Sequence, residues 1–165
     1  MTESELLESI NQLSLLLTST HTRLATAESC TGGWIAKVAT DIEGSSAWFD
    51  RGLVTYSNQS KQDQLGVKEA TLEQYGAVSH QTVEEMVNGL TRYSGVTIGV
   101  AVSGIAGPGG GTDEKPVGTV WISWKIKGNP SLSQHYLFSG NREQIRLQAA
   151  IMAVNGLISL LEADQ

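Results

Sequence analysis

Thr26-Ala27-Glu28-Ser29-Cys30-Thr31-Gly32-Gly33 sets hydroxyl and thiol side chains directly before two glycines and the start of a helical pattern. A strand that feeds a helix through such residues can aim a nucleophile and backbone N–H groups at one ligand, because the first N–H groups of a helix lack intrahelical partners. The same residues also serve structure alone, since Ser29 and Thr31 are good N-caps and paired glycines permit a tight turn. A second stretch, Ser103-Gly104-Ile105-Ala106-Gly107-Pro108-Gly109-Gly110-Gly111-Thr112, can present consecutive N–H groups to an anion or a developing oxyanion. It lacks the Gly-Lys-Ser/Thr of a Walker A loop and the Rossmann glycine spacing, so no ATP or NAD cofactor is expected; its bland alternative is an irregular connection.

Four hydroxyls are candidate nucleophiles, Ser29, Thr31, Ser103 and Thr112, and each needs a base because a free alcohol is almost wholly protonated near neutral pH. The three histidines, His21, His80 and His135, lie outside both stretches and share no metal-ligand spacing with each other or with Cys30, so neither a Ser–His–Asp arrangement nor a metal site is expected. Lys61 offers another base. Near the start of a short helix, the positive end of the dipole and partial burial both disfavour its charged form and lower its pKa. An exposed surface lysine is the competing reading, and Tyr56, five residues earlier at a strand end, favours a polar cluster. Cys30 is the rival nucleophile, or else a buried inert thiol. Arg142 and Arg146, one turn apart at the start of the last helix, sit at the end that disfavours cations, which points to a local anion: a phosphate, or a carboxylate such as Glu28 or Glu143.

Around these residues the chain reads as one α/β domain, 1–165. Leu6, Ile10, Leu13 and Leu17 recur at helical spacing within Glu3–Ser19. A strand over Thr22–Ala27 then delivers the first reactive stretch, and a helix follows over Gly33–Thr40. Trp48–Tyr56 alternates as a strand that Gly52 bends or bulges. Ser57 or Asn58 caps a short helix through Leu65 that holds Lys61, Glu69–Tyr75 forms another, and a longer one starts at Ser79 and runs to about Tyr93. Val96–Val102 reads as a buried central strand that presents Ser103, Val117–Ile126 and Leu132–Phe138 as a hairpin, and Arg142–Leu161 as a last helix with Asn141 and Gln144 as its capping pair. This order predicts a three-layer α/β/α sandwich with a mixed, mostly parallel sheet of about five strands. The tryptophans Trp34, Trp48, Trp121 and Trp124 are expected in the core or a subunit interface.

The net charge of -6, with only 11 Lys and Arg, argues against a general nucleic-acid or membrane-surface binder. The single cysteine excludes an intramolecular disulfide, and with no signal-peptide or membrane-span pattern the expected compartment is the cytoplasm.

Taken together, Thr26–Gly33, Gly52–Asn58 with Lys61, Ser103–Thr112 with Glu114–Thr119, and Gly140–Arg142 resemble the CinA C-terminal domain family across essentially the whole chain. The resemblance implies an α/β/α fold, no metal or nucleotide cofactor, and, from the stand-alone members, hydrolysis of the carboxamide of nicotinamide mononucleotide. On these positions Ser29 would be the nucleophile, Lys61 its base and Tyr56 the residue that orients the lysine. Thr31, Gly32, Gly33, Ser103, Gly104, Gly109, Gly110, Thr112, Arg142 and Arg146 would contact substrate, with Arg142 on the phosphate. A homodimer is the expected assembly. Longer members carry an additional N-terminal domain linked to competence and pyrophosphatase activity, and those functions are not expected here. A non-catalytic nucleotide-binding module or a structural partner domain would use the same residues without releasing ammonia.

Overall fold

A computed structural model describes residues 1–165. The chain runs α1 (Glu3–Ser19), β1 (Leu24–Glu28), α2 (Trp34–Thr40), a short 3₁₀ turn (Ser45–Ala47), β2 (Phe49–Val54), α3 (Asn58–Leu65), α4 (Glu69–Tyr75), α5 (His80–Leu90), β3 (Ile98–Gly104), β4 (Thr119–Ile126), β5 (Leu132–Leu137) and α6 (Arg142–Ala163). Its five strands form one sheet in the order β2-β1-β3-β4-β5. The β1 strand pairs in parallel with both β2 and β3, while β3–β4 and β4–β5 are antiparallel. Four of the five strands therefore point the same way, and only β4 runs against them.

Alternation along the central strands sorts side chains between two helical layers. Leu24, Ile98, Val100, Val102, Val120, Ile122 and Trp124 face the core shared with α1, α2 and α6. Ala25, Ala27 and Ala101 face the opposite layer, where Leu65, Val83, Met86, Val87 and Leu90 of α3 and α5 cover them. The predicted leucine stripe of α1 is fully sequestered. Each such side chain contributes on the order of 1.5–3 kcal/mol relative to exposure.

The α6 helix is long and apolar enough to cross a membrane by length and composition, but more than half of that stretch is buried within the fold. Its start is as predicted: the Asn141 side chain accepts from Gln144 N–H, and the Gln144 side chain accepts from Asn141 N–H. Trp48 and Trp124 are core residues, the latter donating its indole N–H to Ala153 O at 2.8 Å.

The expected irregularity in β2 falls elsewhere. The register against β1 shifts between Phe49 and Arg51, at Asp50, whereas Gly52 stays in register. Gly52 is there for space: a Cβ on it would stand 2.7 Å from that of Ala36, so a side chain would push α2 off the sheet.

Candidate active site

The C-terminal ends of the parallel strands β1, β2 and β3 gather the residues that matter. Ser29 directly follows β1, its N–H tied to Val102 O of β3 at 3.0 Å and its carbonyl accepting from Gly32 N–H at 3.1 Å. Beside it, β2 ends at Val54, Thr55 N–H still donates to Glu28 O of β1 at 2.9 Å, and Ser57 caps α3 by accepting from Ser60 N–H. That cap fixes the helix so that Lys61, in its first turns, reaches back beneath the strand ends.

Lys61 is fully buried, and its Nζ lies 3.0 Å from Ser29 Oγ. The same nitrogen donates to Thr55 O at 2.6 Å and makes a long contact with Tyr56 O at 3.5 Å. Burial pulls its pKa down to about 8. A neutral amine has two N–H donors and one lone pair; with the two carbonyls taking the donors, the lone pair is left for the serine O–H. No carboxylate forms an ion pair with this lysine.

Tyr56 was expected to orient the lysine, and it touches Lys61 only through its carbonyl. Its phenol is largely exposed and accepts from Arg142 Nη2 at 3.2 Å. Arg142 also donates to Gly107 O at 2.9 Å, so this arginine joins α6 to the glycine loop and to the end of β2.

Neither Ser29 nor Thr31 caps α2, contrary to the sequence expectation. The N-cap is Gly33, in the left-handed region at φ 99, and it offers no side chain. Glu28 takes over: one carboxylate oxygen accepts from Ile35 N–H at 2.9 Å and from the Thr31 hydroxyl at 2.7 Å. The other accepts from Ala36 N–H at 3.0 Å and, more weakly, from the Thr26 hydroxyl at 3.4 Å. Burial pushes the Glu28 pKa up and these bonds pull it back. An unpaired buried carboxylate costs several kcal/mol, so this set of donors is what makes the position tolerable. From the other side Arg146 donates to Cys30 O at 2.9 Å and Thr31 O at 3.2 Å. The Ser29 turn is thus held between a carboxylate inside and a guanidinium outside. Committed to Glu28 and fully buried, the Thr31 hydroxyl is not free to attack anything.

Ser29 opens into a cavity of about 280 Å³, lined also by Cys30, Tyr56, Lys61, Ser103, Gly104, Ile105, Gly109, Gly110 and Arg142. Ala77 and Val78 close it from the loop before α5. Two residues after a glycine carry no chemical signature, and nothing in the sequence marks them. Ser103 and Gly104 belong to β3 rather than to the loop. In the loop, the N–H groups of Ala106, Gly107, Gly109 and Gly110 make no backbone hydrogen bond, nor does that of Cys30. Thr112 does not reach this cavity: it is exposed, and its hydroxyl accepts from Lys115 N–H at 3.0 Å to close a turn in the loop. Cys30 lies beneath Gly104, and burial drives its thiol pKa up to about 12.

The remaining expected contacts line a separate, larger cleft of about 540 Å³, formed by Thr31, Gly32, Gly33, Trp34, Lys37, Arg142, Glu143 and Arg146. Arg142 is the one residue common to both.

An α/β/α sandwich with a buried hydroxyl–lysine pair at its parallel strand ends defines the class of site, and comparison with known proteins gives its family. A model of the CinA C-terminal domain matches residues 7–161, and the chain belongs to that family. It is similar to the nicotinamide-nucleotide amidohydrolase PncC of Escherichia coli (strain K12), 48% identical over 157 residues that cover 95% of either chain. The nicotinamide-nucleotide amidohydrolase PncC of Enterobacter agglomerans is 60% identical over 128 residues, 78% of either chain. The crystal structure of the competence/damage inducible protein CihA from Agrobacterium tumefaciens superposes with a TM-score of 0.92 at 43% identity, covering 94% of this chain and 95% of that one.

Proposed function

We propose that this chain, an amidohydrolase of the CinA C-terminal domain family, hydrolyses the carboxamide of nicotinamide mononucleotide to nicotinate mononucleotide and ammonia, as a step in pyridine nucleotide recycling. The observation that carries the mechanism is the 3.0 Å approach of Lys61 Nζ to Ser29 Oγ, a buried pair at the floor of a loop-lined cavity. The names of the relatives support the substrate.

Neutral Lys61 accepts the proton as Ser29 Oγ attacks the amide carbon. The oxyanion that forms is within the province of the unpaired N–H groups of Cys30 and the Ala106–Gly110 loop. Lys61 then passes its proton to the departing ammonia and leaves an ester on Ser29. In the second half Lys61 deprotonates a water that attacks the ester carbon, then returns that proton to Ser29 Oγ as the ester bond breaks and nicotinate mononucleotide leaves, so that both residues regain their starting states. Ser103 hydrogen-bonds the substrate, and Arg142 takes the phosphate.

Ammonia release from a panel of pyridine compounds tests this. Nicotinamide mononucleotide is expected to be turned over far faster than nicotinamide riboside, which lacks the phosphate. Arg142→Ala should reduce that preference by one to two powers of ten, since a charge-assisted contact is worth roughly 1.5–3 kcal/mol. Equal turnover of riboside and nucleotide by the unmodified protein would remove the nucleotide from the proposal.

A further inference from the structure

Arg142 and Arg146 both lack a carboxylate partner. Their hydrogen bonds go to neutral acceptors only: Gly107 O and the Tyr56 phenol for one, Cys30 O and Thr31 O for the other. Both guanidiniums therefore keep their full charge at the cleft of about 540 Å³ beside the Ser29 cavity, in a chain whose net charge is -6. A third cation lines the same cleft. Lys37, on α2, pairs at 2.6 Å with Asp41 one turn on, but its side chain is 69% exposed. A surface pair of this kind contributes little, so the ammonium can swing to a stronger anion at little cost. Against three cations the cleft has one carboxylate of its own, the exposed Glu143.

The geometry points to this second cleft as the phosphate subsite, with Lys37 as a specificity residue that works with Arg142 and Arg146. It rests on the substrate being a nicotinamide nucleotide. The reacting amide must lie against Ser29, which puts the pyridine ring in the inner cavity. Arg142 is the one residue lining both spaces, so a ligand that starts at Ser29 and ends in an anion crosses it and meets the two remaining cations beyond. Arg146 has a second duty in holding the nucleophile turn, and Arg142 holds the glycine loop. Lys37 has neither, so it reports on phosphate recognition with the least disturbance to the reacting groups.

The test is kcat/KM for nicotinamide mononucleotide and for nicotinamide riboside, measured on the full chain and on Lys37→Met and Lys37→Arg. The expected result is a nucleotide-to-riboside ratio lowered by about five- to tenfold in Lys37→Met, near the lower limit for a charge-assisted contact because the ammonium stays hydrated. Lys37→Arg should restore most of the ratio, because the charge is kept. A structural role for Lys37 on α2 would lower both substrates alike and leave the ratio unmoved. If the unmodified protein prefers the nucleotide and Lys37→Met keeps that preference in full, the subsite lies elsewhere, for example on the glycine-loop N–H groups. If the unmodified protein releases ammonia from neither compound, the substrate assignment itself has failed.

Discussion

Ser29→Ala abolishes ammonia release, by at least about 10⁴-fold in kcat, while the protein stays folded. The substitution removes one hydroxyl oxygen whose partner is the lysine amine, and it leaves untouched the backbone bonds that Ser29 makes to Val102 and Gly32. Nothing in the helix after it depends on that hydroxyl, because Glu28 does the capping. Cys30→Ala is the matched control. Its thiol, with a pKa pushed up to about 12, is almost entirely protonated at neutral pH and is a poor nucleophile. Losing a small buried side chain should cost about 1 kcal/mol of stability and leave turnover within a few-fold of normal. Ammonia assays beside thermal unfolding separate the two effects. An inactive Cys30→Ala with an active Ser29→Ala would mean thiol chemistry.

Lys61→Arg is nearly as damaging as Lys61→Ala. A guanidinium keeps the charge but does not deprotonate at working pH, and it is wider than the slot that encloses the lysine. The same reasoning sets the pH profile. Only the neutral amine can accept the serine proton, and burial lowers its pKa from 10.5 to about 8. The active form therefore grows as pH rises: kcat/KM should climb tenfold per unit below that value and level off above it, with roughly a tenth of the enzyme active at pH 7. A profile that falls through this range, or a Lys61→Arg variant with full turnover, would remove Lys61 from the base role.

Much of this was legible from one sequence because the signals were local. Leucine spacing in α1, the Asn141–Gln144 capping pair and the serine cap before Lys61 each depend on a few neighbouring residues, and the structure keeps all three. The continuous apolar, β-branched run of Val96–Val102 marked a buried strand, though not that β3 continues through Gly104 and so makes Ser103 a strand residue. What stayed hidden depends on which chemical group of a residue is used. Tyr56 meets the lysine through its carbonyl, and any residue type supplies one. Glu28 caps a helix seven and eight residues ahead, beyond the range of any capping pattern, because the chain doubles back through two glycines of positive φ. The arginines suggested a carboxylate or a phosphate; Glu28 proved to be committed to α2, and backbone carbonyls hold the guanidiniums instead. Thr112 shares a stretch with Ser103, but the intervening glycines carry it out to solvent.

The covalent step is the most direct point at which to test the account. The protein is mixed with nicotinamide mononucleotide, quenched in acid within a turnover, digested, and the peptide spanning Ala27–Lys37 is examined by mass spectrometry. The expected product is an ester of nicotinate mononucleotide on Ser29, present in the unmodified protein and missing in Ser29→Ala. An adduct on Cys30, or steady ammonia release with Ser29 replaced, would contradict the Ser29–Lys61 mechanism outright.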